Sequence, residues 1–336
     1  MIATTLKQFA VKLSETPAIG PVVRQMERRS RNQPILRVLA YHRIDTPSEG
    51  DAYYPGLISS SPTQFAAQID FIAKSHHVCT MAEVVAASKG DSSLPADSVL
   101  LTFDDATTDF SLHAWPVLKS RGLPATVFVP TAYPDAPSMH FWWDRLYRAV
   151  LLSAHETRIR TPNGTVVTLR TTRQRQRLFR SLKEHLKTIP HDQFQCVMAE
   201  IVKAGGVSDP SDNNVLSWEA LRQLSKEGVT LAPHTHTHPM LNQLPDEDVS
   251  REITTSLEVL QDRLGQETSR TLAYPAGGVS DAVVTAMDAA GYDLAFSTQR
   301  GVNAQTFRAP FRLRRINVGA RTTLGLLRMQ LANWGR

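Results

Sequence analysis

Two clusters in the sequence combine residue types and spacing suited to hydrolytic chemistry. Asp104 and Asp105 stand side by side directly after the apolar run Val99–Phe103. Adjacent carboxylates repel one another unless a cation or a proton holds them. The second cluster, Pro233-His234-Thr235-His236-Thr237-His238-Pro239, follows another short apolar run and puts three histidines within five residues. An isolated Asp-Asp pair can simply cap a helix, and a lone histidine is usually structural. Their conjunction points instead to a metal site. One carboxylate oxygen and two imidazoles leave open positions on a zinc-like ion, where water approaches a neutral pKa and attacks a carbonyl. The only cysteines, Cys79 and Cys196, lie far apart. Neither a disulfide framework nor a cysteine zinc site is indicated, so the ligands must come from histidine and carboxylate.

Short β-branched runs alternate with amphipathic segments, the pattern of βα units around a mostly parallel sheet. Strands are expected at Ile35–Tyr41, Val99–Phe103, Ala125–Val129, Val229–Ala232, Thr271–Tyr274 and Asp293–Ser297. Ser61-Pro62-Thr63-Gln64 and Thr80-Met81-Ala82-Glu83 read as capping boxes opening two helices. Further helices are expected over Leu112–Lys119, Arg173–Leu186, Phe194–Ala204, Ser217–Lys226, Asp246–Leu264 and Asp281–Ala290, and a hairpin around Thr161–Leu169. The fold class is α/β, a βα barrel whose chemistry sits in loops at the strand C-termini. Both the Asp-Asp pair and the histidine cluster occupy such positions. The expected division is an N-terminal helical extension (1–34), the first part of a barrel (35–137), a basic, mainly helical insertion (138–212) and the second part of the barrel (213–336).

With these residues in view, the chain resembles the polysaccharide deacetylase family, also called the NodB-homology or carbohydrate esterase 4 family. Thr102-Phe103-Asp104-Asp105 is similar to its first motif, although Ala106 stands where the family has glycine. His234-Thr235-His236-Thr237-His238 is similar to its His-Ser/Thr-x-x-His motif, Ala273-Tyr274-Pro275-Ala276-Gly277 to its third, and Gly291–Phe296 to the strand that follows. The resemblance covers roughly residues 35–135 and 215–318 and implies a distorted, seven-stranded barrel. It implies a divalent metal on Asp105, His234 and His238, zinc before cobalt or nickel, with Asp104 as general base. His236, at a variable motif position, is assigned a structural or substrate-contact role.

Two departures stand out. The family's third motif carries an arginine that orients the catalytic aspartate, and Ala273 replaces it; its last motif carries a histidine general acid, and Leu313-Arg314-Arg315-Ile316-Asn317 has none. Leu39-Ala40-Tyr41-His42-Arg43-Ile44 resembles a Tyr-His segment in deacetylases of poly-N-acetylglucosamine exopolysaccharide, which makes His42 the candidate acid. Arg315 is the candidate for the missing arginine. The Ala276 N–H is the candidate oxyanion donor, and Tyr274 and Trp142 are candidate substrate contacts. Phe141-Trp142-Trp143-Asp144 reads as exposed aromatics that either stack on sugar or anchor the insertion, the second being favoured. Tyr53 and Tyr54 are comparable candidates in the loop after His42.

The expected reaction is hydrolytic deacetylation of an N-acetylated sugar. A non-sugar amide hydrolase and a degenerate glycan-binding protein are the alternatives. Net charge is +5, and from Phe141 to Lys187 eleven Lys or Arg face three acids. This suits a lipid surface or a lipid-linked, phosphate-bearing glycan, while no motif turns the charge into nucleic-acid recognition. No apolar run reaches the roughly 20 residues of a membrane span, so a cytoplasmic address is expected. Leu6, Phe9, Ala10 and Leu13 at helical spacing suggest peripheral membrane contact.

Overall fold

The computed structural model describes residues 25, 30, 32–48, 50–265 and 268–333. The helical reading of residues 1–34 and the membrane-surface helix at Leu6–Leu13 fall almost wholly outside the described residues.

Seven strands build the barrel: β1 (Ile35–Tyr41), β2 (Ser98–Phe103), β3 (Thr126–Val129), β4 (Thr230–Pro233), β5 (Thr271–Ala273), β6 (Leu294–Arg300) and β7 (Leu313–Asn317). They lie in the order β5-β6-β7-β1-β2-β3-β4, every neighbouring pair parallel. The sheet is a nearly closed parallel barrel with helices outside it. The β6–β7 pairing carries a register irregularity. The short strand His77–Val78 pairs in parallel with the start of β2, and Asn303–Ala304 pairs antiparallel with β1.

Side chains alternate along each strand, and the alternation sorts the barrel into two layers. Leu36, Val38, Leu100, Phe128, Ala232, Ala273, Leu294, Phe296 and Leu313 come from all seven strands and pack together as the interior. Their neighbours of opposite parity face the helices. Leu39, Tyr41, Leu101, Phe103, Val127 and Ile316 form one such layer, and Leu272, Tyr274 and Ala295 another, against helices Asp246–Leu264 and Asp281–Ala289. Burial on both faces is why these strands read as continuous apolar runs.

The helix starts follow local chemistry. Thr80 and Glu83 form the full reciprocal capping box of helix Met81–Lys89. Ser61 caps helix Pro62–Ser75 through Gln64 N–H, but the expected return bond is not made. Gln64 Nε2 instead donates to Thr322 O at 2.9 Å, alongside Gln68 Nε2 at the same length. A tertiary acceptor outcompetes the cap. The helix expected over Leu112–Lys119 opens as a π-helical turn, Phe110–Ala114, and becomes α-helical only at Trp115–Lys119.

Between β3 and β4 the chain forms helix Trp142–Tyr147, continued in π form to Leu152, the hairpin Thr157–Arg160/Val166–Leu169, and helices Thr172–Leu186 and His191–Gly205. Leu146, Val150, Ile159, Leu169, Phe179 and Leu182 give this region a core of its own. Gly205 allows the last helix to close on Ala149, since a Cβ there would sit 2.6 Å from the Ala149 Cα. No helix among the described residues is long and apolar enough to cross a membrane.

Candidate active site

Strand parity aims the chemistry. His42 continues the inward series of β1, Asp104 that of β2 and His234 that of β4, while Arg315 shares the inward parity of Leu313 in β7. All four converge at the C-terminal mouth of the barrel. Asp105 would face away if the strand continued, but its backbone turns left-handed (φ 72°), followed by Ala106 (φ 51°). That reversal, held by Leu216 N–H donating to Ala106 O at 2.9 Å, returns the Asp105 carboxylate to the mouth. Left-handed backbone at position 106 is the physical reason that glycine suits this place in the resembled motif. Thr235, His238 and Ala276 are also left-handed, at φ 65°, 63° and 52°, a concentration of strain typical of functional sites.

Asp105, His234 and His238 are buried, and each offers a ligand atom within 4.8 Å of the others. Asp105 Oδ1 lies 3.4 Å from His234 Nε2 and 3.2 Å from His238 Nε2. That oxygen has no hydrogen-bond partner among the described residues. A buried, orphaned carboxylate oxygen flanked by two ring nitrogens is a donor set that fits a divalent cation. His234 Nδ1 lies 2.7 Å from Ala273 O. As the donor in that contact it leaves the Nε2 lone pair toward Asp105 and ties the end of β4 to β5. Burial opposes the Asp105 charge, yet the two imidazoles more than offset it and hold the carboxyl far below the usual range. Burial also holds the His238 imidazole below its ordinary value despite Asp105, which favours the neutral, ligating form.

Beside this triad, Arg315 meets Asp104 through a two-point bridge, Nη1 to Oδ1 at 2.7 Å and Nη2 to Oδ2 at 2.8 Å. Both residues are buried, and Arg315 Nε donates to Ser297 O at 3.0 Å, which fixes the fork. Burial works against the Asp104 charge, but the Arg315 guanidinium, with His234 and His42, keeps the carboxyl below its ordinary value. His42 Nε2 stands 3.8 Å from Asp104 Oδ2 with its side chain 28% exposed, and its backbone N–H is anchored on Ser59 Oγ at 2.9 Å.

The remaining candidates divide. Ala276 sits in the turn Pro275–Gly277, whose own hydrogen bonds use Gly277 N–H and Gly278 N–H, not Ala276 N–H. Gly277, at φ 77°, is required there, because a Cβ would come 2.1 Å from Thr298 Oγ1. The expectation that Tyr274 contacts substrate is corrected: it is fully buried and donates its hydroxyl to Phe311 O at 3.0 Å. Its parity, opposite to Ala273, turns it into the helix layer. Trp142 turns into the insertion, edge-on to Phe194 at 5.6 Å, which makes it an anchor. The aromatics of this segment are not openly exposed: Phe141 is buried, and Phe141 and Trp143 stack at 4.5 Å and both meet His238 edge-on at 5.2 Å. Tyr54 lies against Tyr147 and Phe179, while Tyr53 donates to Asp212 O at 2.7 Å. His236 Nδ1 lies 2.9 Å from Thr131 Oγ1, turned from the triad.

Sequence reading missed Glu252. From helix Asp246–Leu264 its carboxylate accepts the backbone N–H of His236 and of Thr237, each at 2.8 Å, and the Thr237 hydroxyl at 2.5 Å. It pins the loop that carries both histidine ligands. An exposed-looking glutamate within an amphipathic helix gives no local sign of this.

The comparisons with known proteins come to the same place. The family described as polysaccharide deacetylase matches residues 91–295, more than half of the chain. No curated protein matches the sequence. Among solved structures, the fold is similar to the Streptococcus pyogenes deacetylase PplD in complex with acetate, with TM-score 0.59 and 19% identity over 88% of this chain and 98% of that one. It is similar to IcaB from Ammonifex degensii, with TM-score 0.56 and 19% identity over 90% and 98%. The BpsB deacetylase domain from Bordetella bronchiseptica gives TM-score 0.53 and 18% identity over 85% and 96%. At such identities the likeness carries the fold alone. The family match carries more: the chain belongs to the polysaccharide deacetylase family and is a hydrolase acting on non-peptide carbon–nitrogen bonds, with glycan deacetylation as its reaction class.

Proposed function

We propose that the protein removes the acetyl group from an N-acetylated sugar unit of a glycan by metal-dependent hydrolysis. The observation that carries this reading is the orphaned, buried Asp105 oxygen between His234 and His238, next to the Asp104–Arg315 pair. In this reading Asp105, His234 and His238 hold the ion, zinc in the first instance and cobalt or nickel as alternatives, since such a donor set does not select by itself. When bound, a divalent cation polarises the amide carbonyl and lowers the pKa of water. Asp104 removes a proton from the attacking water. Each of its oxygens spends one lone pair on Arg315 and keeps another for that proton. His42, solvent-facing and near Asp104, donates a proton to the leaving amine, and the Ala276 N–H receives the developing oxyanion.

The Asp104–Arg315 pair argues against a protein that binds glycan without turnover, because a buried ion pair is expensive to keep without use. The basic insertion supports contact with an anionic surface or a lipid-linked glycan. The test is acetate release from N-acetylated sugars by metal-stripped protein, with and without added Zn²⁺ or Co²⁺. Metal-restored release that Asp104→Asn abolishes is the expected result. Tight metal binding with no release across the panel turns the reading toward a non-sugar amide, and failure to bind metal removes the site assignment.

A further inference from the structure

The chain that carries His42 leaves the barrel just before it. The parallel ladder between β1 and β2 ends at the pair Tyr41–Phe103, and β2 then reverses through left-handed Asp105 and Ala106. Among the described residues no side-chain hydrogen bond holds the His42 imidazole, whose Nε2 stands 3.8 Å from Asp104 Oδ2. The place of the ring therefore rests on the backbone of residues 42–45. Ser59 Oγ and Ser60 O accept the N–H groups of His42 and Asp45 at 2.9 and 3.1 Å, but both belong to the short strand Ile58–Ser60, outside the catalytic turn. Asp109 supplies the link to that turn: four residues after Asp105, its Oδ2 accepts the Ile44 N–H at 2.6 Å.

Asp109 is buried, and its carboxylate is not used as its position in the chain suggests. It stands at the N-cap of the turn Phe110–Ala114, where an aspartate ordinarily accepts an N–H of its own helix, yet it makes no such bond. Its Oδ1 lies 3.8 Å from Arg43 Nε, and Arg43 is itself gripped by Asp45 at 2.7 Å. Burial pushes the Asp109 carboxyl above its ordinary value in spite of the Ile44 N–H. The fold thus keeps a carboxylate where it loses solvation and directs it at the strand end beside His42.

We propose that Asp109 is a positioning residue for proton donation: by accepting the Ile44 N–H it holds the His42 strand end against the Asp104–Asp105 turn and sets where the acid stands relative to the base. The proposal deepens the deacetylase reading and rests on it and on His42 as the acid. In that step the protonated imidazole gives its proton to the amide nitrogen as the bond from nitrogen to the acetyl carbon breaks. It regains a proton from Asp104, which took one from the attacking water, so the products are a free amine and acetate. Both transfers depend on the separation of His42 from Asp104, and a misplacement of about 1 Å costs such a step up to about 100-fold. Asp109 does not touch the reacting atoms; it acts through His42.

The experiment measures kcat/KM of the Zn²⁺-loaded full chain on a chito-oligosaccharide and on 4-nitrophenyl acetate, whose leaving group needs no proton. Asp109→Ala is expected to lose about tenfold more on the oligosaccharide than on the ester. Asp109→Asn, which keeps an oxygen for the Ile44 N–H, is expected to restore most of the wild-type ratio between the two substrates. In a His42→Ala background, Asp109→Ala is expected to add no further selective loss. Should the alanine variant not fold, Asp109→Glu makes the same test, because it keeps the charge and displaces the oxygen. Equal losses on both substrates, an asparagine variant as selectively impaired as alanine, or a selective loss that persists without His42 would each overturn the role of Asp109. If His42→Ala is itself unselective, the acid assignment and the positioning role fall together. Wild type that cleaves the ester and no N-acetylated sugar overturns the deacetylase reading itself, and the role of Asp109 with it.

Discussion

Arg315 and Asp104 form a parallel two-bond bridge at 2.7 and 2.8 Å although 211 residues separate them in the chain. Replacing Arg315 by Met leaves a buried carboxylate without its partner, at a cost of about 3–5 kcal/mol in stability. Arg315→Lys keeps the charge and loses the fork. Asp104 is held low, so its contribution to stability is present above its unfolded value and is lost as pH falls through the lower folded value. Without Arg315 the acidic limb of the pH–rate profile should move upward, with activity down about 100-fold. An unmoved limb in Arg315→Lys and Arg315→Met alike would detach Arg315 from the base.

The proposed acid makes a substrate-dependent prediction. An amine is a poor leaving group without a proton, whereas 4-nitrophenolate leaves unaided. His42→Ala should therefore lower acetamide hydrolysis by about 100-fold and spare the ester by comparison. Equal effects on the two substrates assign His42 a positioning role.

Glu252 holds the ligand loop through three hydrogen bonds. Removing such support weakens metal sites by about 10- to 100-fold. Glu252→Ala should show that loss in a competitive chelator titration, with Glu252→Gln between it and wild type; unchanged affinity in both would leave Glu252 as a surface residue.

Metal removal should destabilise the fold, because an ion that binds only the native state adds about 2.7 kcal/mol when present at 100 times its dissociation constant. Thermal unfolding with chelator, then with added Zn²⁺, reads this directly. Identical melting in Asp105→Asn and wild type under both conditions would contradict the triad as the binding site.

Asp144 gives a stability trend opposite to that of Asp104. Burial lifts its carboxyl to about 7 from the ordinary 3.8, so between these values the folded protein holds a proton that the unfolded chain has released. Stability from this group falls as pH rises through that window. Asp144→Asn removes the dependence, and denaturant titrations should show its stability dropping about 3 kcal/mol less than wild type between about pH 5 and 8. Parallel curves for the two proteins would mean that Asp144 is not raised.

The sequence alone determined the features that depend on near neighbours. The alternation of apolar runs with amphipathic helices, the Thr80–Glu83 cap, and the carboxylate and histidine clusters at strand ends are local, and all were readable. Arg315 was nameable as a candidate because it follows Leu313 at strand spacing, but only the closing of β7 onto β1, with its register, brings the guanidinium to Asp104. Tyr274 shows the opposite outcome. In a strand buried on both faces, periodicity does not say which parity looks inward, and the fold turned Tyr274 to the helices and Ala273 to the barrel. Gln64 abandoned its cap for Thr322, and Glu252 reached back to the histidine loop, because partners 258 and 16 residues away were presented in better geometry than any adjacent in sequence. Local chemistry set the elements and marked the reactive residues; tertiary structure chose their partners, since hydrogen bonds and ion pairs depend on distance in space rather than distance along the chain.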